Sequence, residues 1–188
     1  TKTANINKKG SEPGNNTGAE PTPTPKKGFQ YLGYYYSQAS LGDTVDFKNE
    51  LTGVIHFAYQ LNAEGGFTKK AGFDADKFYA QGGGYESATK NNSNALMLIT
   101  GFSKATVTKV LSSPALRAKT VEQIAQTIQA NNLNGVDLDF ESVDAGQREN
   151  FVTFVKEIRA KIGSNKMITL SLMPRSKASQ TWYDGYDY

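Results

Sequence analysis

An eight-residue run, Asn134-Gly135-Val136-Asp137-Leu138-Asp139-Phe140-Glu141, constrains this chain more than any other stretch. Apolar and acidic residues alternate through it without a break. That pattern predicts a strand with Val136, Leu138 and Phe140 on one face and Asp137, Asp139 and Glu141 on the other. Carboxylates spaced about 7 Å apart along one strand face repel one another, and aspartate is a poor strand former. An ordinary half-buried strand has no use for such a ladder. Something other than folding requires it.

Strands and helices alternate around this run. Tyr31–Tyr36 and Gly53–Leu61 read as the first two strands, and the continuous apolar stretch Ala95–Gly101 as the third. Residues 62–94 are rich in Gly and Asn, with a short helix expected near Ala75–Ala80, and Thr106–Leu111 is a second short helical piece. Arg117–Asn131 places Val121, Ile124, Ala125 and Ile128 at helical spacing, and Ala145–Ile162 does the same with Phe151, Phe154, Val155, Ile158 and Ile162. Asp144 and Gln147 have the spacing of a capping box for that helix. Met167–Met173 is a fifth strand. Such alternation predicts parallel strands joined by helical crossovers.

Two parallel architectures satisfy that order, a doubly wound open sheet and a closed (β/α)8 TIM barrel. A doubly wound sheet covers both faces of a central strand with apolar helix stripes, which leaves no place for three acids. A barrel turns one face into a lumen, where carboxylates reach polar partners and the mouth above the strand ends. The barrel is the predicted fold, with Glu141 at its mouth.

Composition narrows the chemistry. The chain contains no Cys, so disulfides, thiolate nucleophiles and Cys-ligated metals are excluded. Its one histidine, His56, lies in the apolar run Val54–Tyr59, where a satisfied core or barrel-lining role is favoured over a catalytic one. No Ser-His-Asp signature, Walker-type loop, signal peptide or membrane-length apolar segment is visible. The formal charge of +3 resides in residues 1–28, which hold five lysines against two glutamates; from Phe29 onward sixteen basic residues face sixteen acidic ones. A neutral folded part lacks the electrostatic footprint of a nucleic-acid binder. Residues 1–28, with the alternation Pro21-Thr22-Pro23-Thr24-Pro25, read as a flexible tether, a linker type common between modules of exported proteins. The domain boundary therefore falls at 28/29, and other modules joined through the tether are expected partners.

With these residues in view, the chain resembles the family-18 glycoside hydrolases. Asn134–Glu141 is similar to the D-G-x-D-x-D-x-E signature of that family, departing from it at Asn134, which replaces the opening Asp. Gly33-Tyr34-Tyr35, Ile55-His56-Phe57-Ala58-Tyr59 and Leu170-Ser171-Leu172-Met173-Pro174 follow in the same order as the family's strands. The stretch Ser112–Arg117 and the helix start Arg148–Phe154 resemble the bacterial branch that acts on spore-cortex and cell-wall peptidoglycan.

The resemblance implies a glycosidase acting on β-1,4-linked N-acetylglucosamine polysaccharide, peptidoglycan or chitin. Glu141 is then the general acid and base, Asp139 the residue that stabilises the substrate's acetamido group, and Asp137 its support. Asp137 and Asp139 are expected to share a proton. The substrate's own acetamido oxygen attacks the anomeric carbon, so the configuration is retained; carboxylate spacing alone would suggest inversion. Tyr34 matches a substrate-binding tyrosine of the family, with core packing as the alternative. Gly101 matches a third-strand glycine, whereas Ile99 stands where many members have serine, which predicts an altered network around Asp137. No cofactor or metal is implied, and the expected location is extracellular, cell-wall or spore-associated.

Three further expectations complete the reading. Trp182, Tyr183, Tyr186 and Tyr188 form an aromatic cluster, read as a surface turn in preference to a sugar platform. Only five strand–helix units precede Tyr188, whereas a barrel takes about 250 residues, so the chain is expected to be a truncated barrel. Two other functions remain open. A lectin-like member of the same fold is disfavoured by the retention of Glu141, and a cation-binding structural domain is disfavoured by the flatness of the ladder.

Overall fold

A computed structural model describes residues 30–36, 51–73, 75–141, 143–172 and 185–186. The expected tether at 1–28 lies outside them. Six strands and five α-helices follow in the order β1 (Leu32–Tyr36), β2 (Gly53–Leu61), β3 (Phe67–Lys69), α1 (Ala75–Tyr79), α2 (Gly84–Lys90), β4 (Asn94–Thr100), α3 (Lys104–Ser112), α4 (Pro114–Ala130), β5 (Gly135–Asp139), α5 (Arg148–Ile162) and β6 (Met167–Leu170). The sheet runs β1-β2-β4-β5-β6 with every neighbouring pair parallel, and β3 folds back antiparallel on β2. The alternating strands and helices of the sequence are thus a parallel wall.

The two faces of this wall differ. On one, Val54, Met97, Ile99, Val136, Leu138 and Phe140 join side chains from all five helices in a single apolar core. On the other, Ile55, Ala58, Leu96 and Leu98 form a small cluster with Leu32, Phe57 and Met167, and among the described residues no helix contributes to it. Helix cover on one side of the described strands is the layering of a barrel wall and not that of a doubly wound sheet.

Local chemistry explains where elements begin. Helix α4 starts three residues earlier than its apolar spacing suggests, because Ser113 caps it, its hydroxyl accepting from the Leu116 N–H at 3.4 Å, and Pro114 supplies a preset φ in the first turn. Arg117 is then buried; it donates to both carboxylate oxygens of Glu157 at 3.0 and 3.2 Å and to the Leu111 carbonyl at 2.6 Å, tying α3, α4 and α5 together. The capping box expected at Asp144 and Gln147 does not form. Asp144 instead accepts from Gly146 N–H at the start of a short 3-10 turn, Ala145–Gln147, and pairs with Lys104, while the Gln147 side chain accepts from Ser112 and Asn150.

Strand β3 and helix α2 were not anticipated in the Gly- and Asn-rich stretch. Asn62 creates the hairpin: its side-chain oxygen accepts from the N–H groups of Glu64 and Gly66, and Gly65 takes a positive φ of 73°. A three-residue strand is too short to show periodicity.

His56 is a core residue, but neither satisfied nor barrel-lining. It is buried on the helix side, stacked on Phe78 at 4.8 Å and edge-on to Tyr59 at 5.6 Å, and among the described residues neither ring nitrogen has a hydrogen-bond partner. Burial, assisted by the charge of Lys69, lowers its pKa to about 4. An unfolded chain takes up this proton near pH 6.5, so stability is unaffected above that pH and falls between pH 6.5 and 4, by up to ~3 kcal/mol. His56 is the only histidine, which makes its NMR resonance unambiguous. Its titration midpoint is expected near 4, and a midpoint near 6.5 would mean that the ring is not sealed in the core.

Candidate active site

The inner face of the wall collects polar side chains toward its mouth. Strand register places Tyr34 beside Ile55, Ile55 beside Leu96, Leu98 beside Asp137, and Asp137 beside Thr169. Tyr34, Asp137 and Thr169 therefore share the face of the small inner cluster, and Ser171 follows two residues beyond Thr169.

Asp137 sits deepest. It is 2% exposed, and three hydroxyls donate to it: Thr169 to one oxygen at 2.5 Å, Ser171 and Tyr34 to the other at 3.1 and 3.4 Å. Burial raises its pKa, and these donors oppose the rise. Tyr34 also lies 2.8 Å from Ser171, so their two hydroxyl protons are shared between that contact and Asp137, and Tyr34 is 54% exposed. It lines the open face and is not packed into the core. Burial, partly offset by the bond to Ser171, raises the Tyr34 pKa.

Asp139 is 8% exposed, and its carboxylate has no hydrogen-bond donor among the described residues. Burial first, and then the charges of Glu141 and Asp137, raise its pKa to about 6, with Lys70 acting in the opposite direction. Glu141 is exposed, two residues beyond Asp139. The three acids thus form a gradient from buried to open. Asp137 and Asp139 interact through charge, while the Asp137 oxygens accept hydrogen bonds from hydroxyls.

The motif's other residues hold this gradient in place. Asn134, nearly fully buried, accepts from the Ala95 N–H at 2.8 Å through its side-chain oxygen. An amide supplies that acceptor without burying a charge, which accounts for its fit where the signature has Asp. A Cβ on Gly135 would collide with the Met167 carbonyl, so only glycine lets β6 approach. Gly101 lies under the Phe140 ring, where a Cβ would stand 2.6 Å from the ring edge. Phe140 packs between Phe151 and Phe154, and its carbonyl accepts a hydrogen bond from the Tyr186 hydroxyl. The backbone just before Glu141 is therefore clamped.

Several sequence readings need correction. Tyr186 is neither a surface turn nor a sugar platform: it is buried against Phe151, because α5 provides an apolar seat for it. Trp182, Tyr183 and Tyr188 lie outside the described residues, as do Met173 and Pro174. Ile99 does not alter the network around Asp137, since it faces the helix-side core. Thr169 and Ser171 were not singled out by sequence reasoning as partners of Asp137. Their signal was the polar alternation Thr169, Ser171 against Ile168, Leu170, Leu172. Among the described residues no group of three or more acids or histidines could hold a metal ion.

The family model for glycosyl hydrolases family 18 matches residues 30–188. This chain belongs to that family. Among curated relatives, a cortical fragment-lytic enzyme of Bacillus anthracis is 25% identical over 108 residues, 54% of this chain and 25% of its own length. The curated relatives matched are covered over only 21 to 25% of their length. Among solved structures, the spore cortex-lytic enzyme SleL of Bacillus cereus superposes with a TM-score of 0.70 at 19% identity, over 86% of this chain and 39% of that one. A class V chitinase of Pseudomonas fluorescens Pf-5 superposes with a TM-score of 0.68 at 22% identity, over 85% of this chain and 50% of that one. These likenesses identify the fold as the TIM barrel of family 18, of which the described strands form an incomplete wall.

The raised Asp139 carboxyl carries a stability cost. Its proton leaves the unfolded chain near pH 3.8 but the folded one only near 6, so stability is full below the lower value and is lost as pH rises through the higher. Asp139→Asn is expected to stabilise the fold by ~1–2 kcal/mol at pH 7.5 and by much less at pH 3.5. Urea denaturation at the two pH values measures this. Equal effects at both would show that Asp139 is not electrostatically strained.

Proposed function

We propose that this domain hydrolyses β-1,4-linked N-acetylglucosamine polysaccharide with retention of configuration, using the substrate's acetamido group as nucleophile. The observation that carries the reading is the burial gradient along the ladder: an anchored Asp137, a strained Asp139 and an open Glu141 at the strand's C-terminal end. Each suits a different role. Glu141 reaches incoming sugar and donates its proton to the glycosidic oxygen as that bond breaks. The acetamido oxygen bonds to the anomeric carbon and forms a cationic ring, whose N–H Asp139 receives. A carboxylate already deprived of water stabilises that positive charge more strongly than a solvated one does. Asp137, fixed by three hydroxyls, holds negative charge beneath Asp139. Tyr34, exposed on the same face, contacts the sugar. Water then opens the ring from the face the leaving group vacated, with Glu141 taking its proton.

The family membership and the resemblance to cortex-lytic enzymes and chitinases support this reading, and they also support a protein that meets its substrate at a spore or cell wall. Among the described residues no helix is long and apolar enough to cross a membrane.

Three measurements test the mechanism on the full chain. Glu141→Gln is expected to lower kcat by about 10²–10⁴-fold on peptidoglycan and on chitin oligomers, the range for loss of a general acid. Undiminished turnover on both would remove Glu141 from the chemistry, and binding without any turnover by the unsubstituted chain would favour a lectin. In proton NMR the β-anomer should be the first product from a β-linked substrate, and an α-anomer would refute retention. Activity should also fall on the acid side with a midpoint near pH 6, as Asp139 takes up its proton.

A further inference from the structure

Lys70 stands apart from the other cations near it. Its neighbour in sequence, Lys69, turns outward to Asp76 at 2.5 Å, and Lys104 pairs with Asp144 at 2.7 Å. Lys70 is half-buried, yet among the described residues its ammonium has no ion pair and no hydrogen bond. What holds it is the ring of Phe102, 5.0 Å from the ammonium to the ring centre.

Both residues belong to the mouth. The Lys70 N–H donates to the carbonyl of Ala58, a member of the inner-face cluster, which ties the end of the β2–β3 hairpin to that side of the wall. Phe102 is 42% exposed and follows Gly101, whose N–H donates to the Asp139 carbonyl at 2.8 Å. The positive charge of Lys70 is felt at Asp139. A half-buried cation resting on an aromatic ring beside the acid ladder is therefore part of the cleft's rim.

The charge balance says what such a cation can receive. A glycan bearing carboxylates approaches a cleft that already contains three acids, and that approach is repulsive unless a fixed positive charge meets the substituent. A neutral glycan needs no such charge. Phe102 holds the ammonium in place, so little side-chain freedom is lost when an anion binds.

We infer that Lys70, seated on Phe102, is a specificity-determining residue that receives a carboxylate substituent of the sugar chain, which makes carboxylate-bearing N-acetylglucosamine glycans the preferred substrate class over neutral ones. The inference rests on the cleft proposed above. Its occupant is an N-acetylglucosamine polymer whose alternate sugars carry an acidic ether substituent, the chemistry of a peptidoglycan strand stripped of peptide.

Because Lys70 also acts on Asp139, turnover would mix two effects, so binding is the readout. The full chain carrying Glu141→Gln, which prevents hydrolysis, is titrated calorimetrically with two tetrasaccharides. One is neutral β-1,4-linked N-acetylglucosamine, and the other alternates N-acetylglucosamine with N-acetylmuramic acid bearing free lactyl carboxylates. The acidic ligand is expected to bind about tenfold more tightly at low salt, and added salt should narrow that ratio. Adding Lys70→Gln should bring the ratio close to one, and Lys70→Arg should keep most of it. An unchanged ratio in Lys70→Gln, or a parent without preference for the acidic ligand, would overturn the inference and reduce Lys70 to a counter-charge for the ladder. Binding of neither tetrasaccharide would instead sink the proposed cleft itself, and the inference with it.

Discussion

Everything at the mouth depends on the apolar alternation that runs through β5 into Phe140. Val136, Leu138 and Phe140 drop into the helix-side core, and burying three such side chains is worth several kcal/mol, on the order of 1.5–3 for each. Their period of two leaves Asp137 and Asp139 no choice but the inner face. A slip of one residue would reverse the faces and drive the aspartates into the core, so register and chemistry are one constraint. Register is secured from both sides: the Asn134 side chain grips β4, and Gly135 lets β6 close in with no Cβ between. The signature's first two positions set the register on which the placement of its three acids depends.

The cost of holding acids there is unevenly distributed. Asp137 is almost dry but has three donors, so its burial is largely compensated. Asp139 is nearly as dry, has no donor among the described residues, and lies between two like charges. A group in that state costs stability, and the proposed role of Asp139 at the substrate is the kind of function for which stability is given up. His56 is a contrasting case. Its pKa is also displaced by burial, but it sits among Phe78 and Tyr59 on the far side of the wall, away from every acid of the ladder. A displaced pKa marks a functional group only when the side chain also faces an opening.

Much of this was legible in the sequence, and what escaped did so for physical reasons. The alternation 136–140 predicted both faces of β5, and the incompatibility of three acids with a two-sided helix cover predicted a barrel wall, which the one-sided packing bears out. The edges of β2 were readable from Gly53 and Leu61. The partners of Asp137 were not, because Thr169 and Ser171 lie more than thirty residues away and become neighbours only through the pairing of β5 with β6. Tyr186 was misplaced for a related reason. Tyrosine in a Gly- and Asp-rich tail looks like a surface residue until α5 offers it Phe151 to rest on. Local pattern reveals which way a side chain points along its own strand, and it cannot reveal what comes to meet it.

The same division separates chemistry from selectivity. The acids are set by strands, whose geometry is stiff and whose pattern is visible. Lys70 and Phe102 come from the hairpin beyond β2 and the turn beyond β4, where Asn62, Gly65 and Gly101 decide the path and no periodicity announces it. Connections of this kind can change length and charge without disturbing the wall beneath, which is why barrel enzymes vary their substrates through them. A rim cation over a fixed acid ladder follows from that arrangement. On the proposed reading the wall fixes where the proton of Glu141 is delivered, and the loops select the sugar chain that receives it.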